Sequence, residues 1–256
     1  MKKLLIRIVI VMVVILVVAV LAIGFFLDGA VKKGVETFGP DLTKVTVKLD
    51  SVSLSILSGS GSIKGLLVGN PEGFQTPHAI KVGKASLAIA PGSVFSDKVV
   101  IKSIRIEAPE INYETGLAGG DNLHKILDNV TAAAGGGAAS TNASGKPAKK
   151  LQVDEFLITG AKVSVSVKGT GGAAVPIILP DIHLSNLGQG PEGITPAELT
   201  KKIVAQVSTD VAKASVKVVA DIGKGAVKAV ENIGKDPAGA AGKAAKSIGN
   251  LFGPKK

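Results

Sequence analysis

Three histidines, His78, His124 and His183, are the residues most able to do chemistry in this chain. Imidazole titrates near neutrality and is the commonest nitrogen ligand of a metal. None of the three stands at ligand spacing from another, and the chain has no cysteine. That excludes thiolate nucleophiles, disulfides and Cys-ligated metals. There is no G-x-S-x-G elbow and no phosphate loop, and Gly59-Ser60-Gly61 reads as a turn rather than a nucleotide fingerprint. Each histidine therefore reads as a surface or strand-edge residue. An enzyme would need His78, His183 and an acid such as Asp181 to converge in a cleft. The expectation is a protein that is not an enzyme, with no cofactor and no metal. Nucleic acid is not an expected partner either. Aromatics are 3% of the chain, and Phe25, Phe26 and Phe252 lie in an apolar N-terminal run or at the extreme tail.

The elements that must carry any function begin with that run. Ile8 to Leu27 is 20 residues without a charge. A helix of about 20 apolar residues crosses a hydrocarbon core of ~30 Å. Its β-branched content would suit a strand in water, but in lipid the backbone must satisfy itself, which favours a helix. A cleaved signal peptide is the alternative. Its apolar region is usually shorter, and Ala22-Ile23-Gly24 is a poor cleavage site. The expectation is a transmembrane anchor over residues 1–28, in contact with the bilayer through 8–27. Lys2, Lys3 and Arg7 place the N-terminus in the cytoplasm, with Lys32 and Lys33 opposing that bias. The body would then be periplasmic, on an inner membrane.

After Gly39-Pro40 the pattern turns to period 2. Val45, Val47 and Leu49 alternate with polar residues, the phase slips by one, and Val52, Leu54 and Ile56 continue. A slip of one turns the apolar set to the other face unless a bulge absorbs it. Further short strands read over Ile63–Val68, Ala79–Ala90, Val99–Ile106, Ile111–Tyr113, Leu151–Ile158, Val163–Val167 and Ile177–Leu184. Ten strands at about 4.8 Å would span roughly 50 Å. A repeat is visible as well. Ile101 to Tyr113 overlays Val153 to Val165 over thirteen residues, each copy a strand, a small-residue break and a second strand. Two unrelated hairpins would also look alike, and that alternative stays open. Between the copies, Asp121-Asn122 caps a short helix to Val130. Residues 131–150 then read as an Ala/Gly linker.

Thr195-Pro196-Ala197-Glu198 is a capping box with Pro at the first helical position. Ile203, Val207, Val211, Ala214, Val218 and Ile222 continue one helical stripe. From Leu199 onward there are eleven Lys against four acidic residues, out of a net charge of +10. Such a tail suits an anionic partner such as lipid headgroups, or a solvated helix face.

With these segments in view the chain resembles the AsmA-like bacterial envelope proteins. The likeness rests on the anchor, Val52-Ser-Leu-Ser-Ile56, Gly59-Ser-Gly-Ser-Ile-Lys-Gly65 and Val68-Gly-Asn-Pro-Glu-Gly-Phe74. It extends to Lys84-Ala-Ser-Leu87, Val100-Ile-Lys-Ser-Ile104, Ala108-Pro-Glu110, Asn122-Leu-His-Lys-Ile-Leu127, Leu179-Pro-Asp-Ile-His-Leu184 and Gly193-Ile-Thr-Pro-Ala-Glu-Leu199. The resemblance implies an inner-membrane anchor, a repetitive β body and a role in lipid transport or outer-membrane homeostasis, with phospholipid tails carried in an apolar groove.

The expected fold is mainly β with helices: a transmembrane helix, an antiparallel, curved, repetitive β-sheet body over 41–190, and a basic amphipathic helical tail over 195–256. If lipid is carried, the lining residues are Leu54, Ile56, Ile104, Ile106, Ile111, Val163, Val165, Ile182 and Leu184. The same residues would equally form an ordinary closed core. The alternative function is a structural module that recruits an envelope protein through its basic tail.

Overall fold

A computed structural model describes residues 27–55, 57–116, 120–135, 149–168 and 174–235, with the backbone alone for 225–235. The expected span over 8–27 lies outside these residues except for Leu27. No described helix is long and apolar enough to cross a membrane. The elements are helix α1 (27–43), strands β1 (Val47–Lys48), β2 (Ser51–Ser55), β3 (Ser60–Val68) and β4 (Ile80–Ile89), and a 3-10 turn (Pro91–Phe95). There follow β5 (Lys98–Glu107), β6 (Glu110–Thr115), α2 (Asn122–Gly135), β7 (Lys150–Thr159), β8 (Lys162–Val167), β9 (Ala174–Ile178), β10 (Ile182–Leu187) and α3 (Pro196–Lys235).

The ten strands form one mixed sheet, but they occupy only six lanes. β1 and β2 both pair with β3, in one continuous register. β5 and β6 both pair with β4, β7 and β8 run parallel to β5 and β6, and β10 and β9 complete the far edge. Six lanes at ~4.8 Å span about 24 Å, half the width expected from counting strands end to end. The antiparallel expectation is corrected at the centre of the sheet. There every residue from Lys98 to Glu107 and from Glu110 to Thr115 lies level with the one 52 positions later, in parallel. This is the repeat seen in the sequence: Ile101 pairs with Val153, and Tyr113 with Val165. The crossover contains α2, and a parallel pair requires a connection of that length.

The slip of phase recurs in every lane at the same level. The ladder skips Asp50, Gly65, Gly83, Ala108, Gly160 and Pro180, which line up in one row across the sheet. Gly65, Ala108 and Gly160 have φ of +65°, +46° and +61°. A residue in the left-handed region leaves the pleat and resets the alternation, as in a bulge. Residues three apart across this crease are consequently both buried: Leu49 and Val52, Val82 and Ala85, Ala161 and Ile158, Leu179 and Ile182. The expected single strand Ile177–Leu184 is therefore two, β9 and β10.

On one side of the crease α2 and α3 cover the apolar face. Leu123, Ile126 and Val130 of α2, with Leu199, Val207 and Val211 of α3, share a core with Ile111, Val163 and Val165. α2 runs five residues past the expected Val130, and 136–148 of the expected linker lie outside the described residues. The capping box forms as written: Thr195 Oγ1 accepts from the Glu198 N–H at 3.1 Å, and Glu198 Oε2 accepts from the Thr195 N–H at 2.9 Å. These hydrogen bonds, with Lys150 and Lys202 nearby, hold the Glu198 carboxyl below its ordinary range.

α1 was not read from the sequence as a helix beyond Asp28. It lies along the β1–β2 edge, where the Asp28 carboxylate accepts from the Leu54 N–H at 2.7 Å and Glu36 from the Leu49 N–H at 3.1 Å. Lys32 Nζ donates to the carbonyls of Leu49 and Asp50. Edge N–H and C=O groups are thus occupied by side chains rather than left to pair with another strand.

Candidate functional site

Register fixes which apolar side chains share a row. Above the crease, Val52, Ile63, Ala85, Ile106, Ile158 and Ile182 stand level across all six lanes. The next row is Leu54, Gly61, Leu87, Ile104, Phe156 and Leu184. The opposite face at this level carries Ser53, Ser62, Ser86, Arg105, Leu157 and His183. One face is apolar and the other mostly polar, the pattern of a sheet covered on one side.

The expected lining residues divide at the crease. Ile111, Val163 and Val165 are at most 2% exposed and packed beneath α2 and α3. Ile182 is buried beside the crease, while Leu54, Ile104, Ile106 and Leu184 are only half-buried. Ile56 lies outside the described residues. The structure adds Leu87 and Phe156, which fill the second row between the expected members. The repeat offset already pointed to Phe156, since it is Ile104 moved on by 52 positions. Gly61 leaves a gap in the row: a Cβ there would meet Leu54 Cδ2 at 2.6 Å and Leu87 Cδ1 at 2.7 Å. The two leucines therefore close over the glycine on the apolar face. The arrangement is a half-open apolar strip on β2–β5, bounded on the far lanes by the start of α3.

Two large apolar side chains stand clear of any packing at the end of this strip. Leu57, in the β2–β3 turn, is 81% exposed, and Phe95, at the end of the 3-10 turn, is 80% exposed. The two turns touch: the Ile89 N–H donates to Gly59 O at 2.6 Å, and Pro91 packs against Gly59. Neither residue was singled out from sequence, because exposure at a turn tip has no periodic signal.

The ionisable groups do not assemble a reaction centre. His183 lies on the polar face, 3.5 Å from Glu155. His78 precedes β4, its carbonyl accepting from Asn112 Nδ2. It stands about three lanes and eight rows from His183, which is level with Ser86, on the order of 30 Å away, and Asp181 accepts instead from the Gly160 N–H. His124 pairs with Asp121 at 2.7 Å, and Asp121 also accepts from the His124 N–H, as an N-cap of α2 does. Tyr113 joins that aspartate. Burial first, then the Asp121 charge and hydrogen bond, push its hydroxyl up to about 12. Among the described residues no group of three His, Cys, Asp or Glu could hold a metal.

Buried polar side chains instead fasten the loop between β3 and β4. Glu114, 2% exposed, accepts from the Gln75 and Thr76 N–H groups at 2.8–3.0 Å. Asn122 donates to Asn70 Oδ1 and Asn112 O and accepts from the Glu114 N–H. Two of the segments that carry the family likeness, around Asn70 and around Asn122, thus meet in one hydrogen-bond network.

The AsmA family model matches residues 61–228, from the start of β3 into α3. No curated protein and no solved structure matches the chain significantly.

Proposed function

The chain belongs to the AsmA family, and from that membership we propose that it is a membrane-anchored envelope protein that holds lipid against its half-open apolar strip. The observation that carries this reading is the difference between the two sides of the crease. One side is closed by α2 and α3, while on the other Ile104 packs at the margin of that core and Leu54 and Leu87, level with it in one row, are only half-buried. Acyl chains recover the same free energy as buried side chains, about 0.8 kcal/mol per CH₂ removed from water. The anchor over 8–27 would hold the body beside the bilayer that supplies lipid, with the N-terminus cytoplasmic and the body periplasmic on the inner membrane. No chemical step is part of this function.

The test is photolabelling of the full chain in liposomes containing a phospholipid with a diazirine in its acyl chain. Adducts at Leu54, Leu87, Ile104 or Leu184 are expected. Adducts confined to residues 8–27 would defeat lipid holding and leave only the anchor.

A second reading is favoured by α3, where Lys213, Lys217 and Lys224 are exposed around Val216, itself 66% exposed. An acidic envelope partner docking there would leave the photolabelling pattern on the strip unchanged.

A further inference from the structure

Leu57 and Phe95 need an explanation that lipid holding on the strip does not supply. They are the two most exposed large apolar side chains among the described residues. Two such residues on touching turns form one apolar tip, and exposed apolar groups gathered together mark an interaction surface. The position of the tip indicates what covers it. Asp28, the residue directly after the uncharged run of Ile8–Leu27, is hydrogen-bonded to the Leu54 N–H at 2.7 Å. Leu57 is three residues further along, within ~10 Å of Leu54 at the reach of an extended chain. The chain therefore leaves its apolar run at the end of the sheet that carries the tip.

Charge supports the same occupant. Lys149 Nζ donates to Val94 O at 2.6 Å, one residue from Phe95, and Lys98 and Lys150 stand level at the start of β5 and β7. The carboxylates among them are Asp97, which is exposed, and Glu198, whose charge Lys150 faces. Three lysines against two carboxylates beside an apolar tip leave a net positive rim that matches an anionic lipid surface, with ammonium groups at the phosphates and apolar side chains below them. Ile178 is 77% exposed but lies on the opposite face below the crease, level with Lys81, Glu110 and Lys162, and has neither feature.

We propose that the tip formed by Leu57 and Phe95 docks into the headgroup layer of the same bilayer that residues 8–27 enter. This rests on the anchor reading and adds a fixed posture to it. The strip opens toward the membrane surface, with Leu54 and Leu87 next in line behind the tip. The body stands on the bilayer at three places, α1, Leu57 and Phe95, instead of swinging on a single tether.

The absence of native cysteine makes this directly measurable. Leu57→Cys, Phe95→Cys, Ile178→Cys and Val18→Cys are made singly in the full chain and labelled with a nitrobenzoxadiazole fluorophore. Each is reconstituted in phosphatidylethanolamine/phosphatidylglycerol vesicles carrying doxyl-labelled lipid. Labels at 57 and 95 are expected to lose several-fold more emission to a shallow doxyl group than the label at 178, while 18 responds to a deep one. If 18 is quenched and 57 and 95 behave like 178, the docking is wrong and the anchor stands. If 18 is not quenched either, the anchor reading fails and takes the docking with it.

Discussion

Tyr113 shows how far a single residue's surroundings can be read and checked. It is the only tyrosine, and there is no tryptophan, so its absorbance reports without interference. Its hydroxyl is raised from 10.0 to about 12 by burial and by Asp121. The folded state therefore keeps the proton after the unfolded chain has released it. The stability this contributes is fully present below pH 10 and is lost as pH rises through about 12. A spectrophotometric titration of the native protein is expected to find tyrosinate forming near pH 12, and a midpoint near 10 would contradict the buried Tyr113–Asp121 contact. Part of this was legible in sequence and part was not. Asp121 was read as a helix cap, which it is. Its second role appears only when the chain folds back after β6, with Thr115 bridged to Asp121 at the start of α2. The half-buried leucines illustrate the same limit: Leu54 reads as apolar-facing from alternation alone, but its exposure depends on which rows the helices cover.

Among the elements, α3 was the most legible, because a capping box and a stripe at steps of three and four leave few alternatives. The repeat was equally readable, and its offset gave the sheet register directly. The crease was half-read. The phase slip after Leu49 was visible, but only the alignment of lanes shows that six breaks form one line. Two glycines on that line separate its two costs. Gly160 has φ +61° with nothing within 4 Å of an added Cβ, whereas Gly65, at φ +65°, would drive a Cβ into the Asp50 carboxylate. Gly160→Ala is expected to cost about 1 kcal/mol, the left-handed backbone strain alone. Gly65→Ala should cost at least twice that, roughly 2–4 kcal/mol, because strain and collision add. Thermal melts of the full chain followed by circular dichroism decide this, and equal losses would show that the crease is not the tight junction described. α1 was missed because its residues read as the exit from an apolar run, and the edge it guards had not yet been located.

At the scale of the whole molecule, α3 belongs to the core up to about Val219. Removing residues 236–256 is expected to leave the melting temperature unchanged. Removing everything from Ala197 strips Leu199, Val207 and Val211 from the core and costs roughly 5 kcal/mol or more, at about 1.5–3 for each large buried side chain. A loss of partner binding in the longer truncation therefore says nothing about the tail, and only the shorter one tests the recruitment reading. At about 24 Å across, the sheet is also a smaller unit than the sequence suggested, too narrow to bridge two membranes by itself. The way α1 guards one flank sets how such units can combine. With Asp28 and Glu36 occupying the β1–β2 flank, the β9–β10 flank is the one left for pairing among the described residues, and even there Pro176 sits within β9. A tile with two adhesive sides makes a fibre, and a tile with one makes a pair. Among the described residues, strand-to-strand joining of copies through that one flank closes at two, about a twofold axis, and does not run on into a filament.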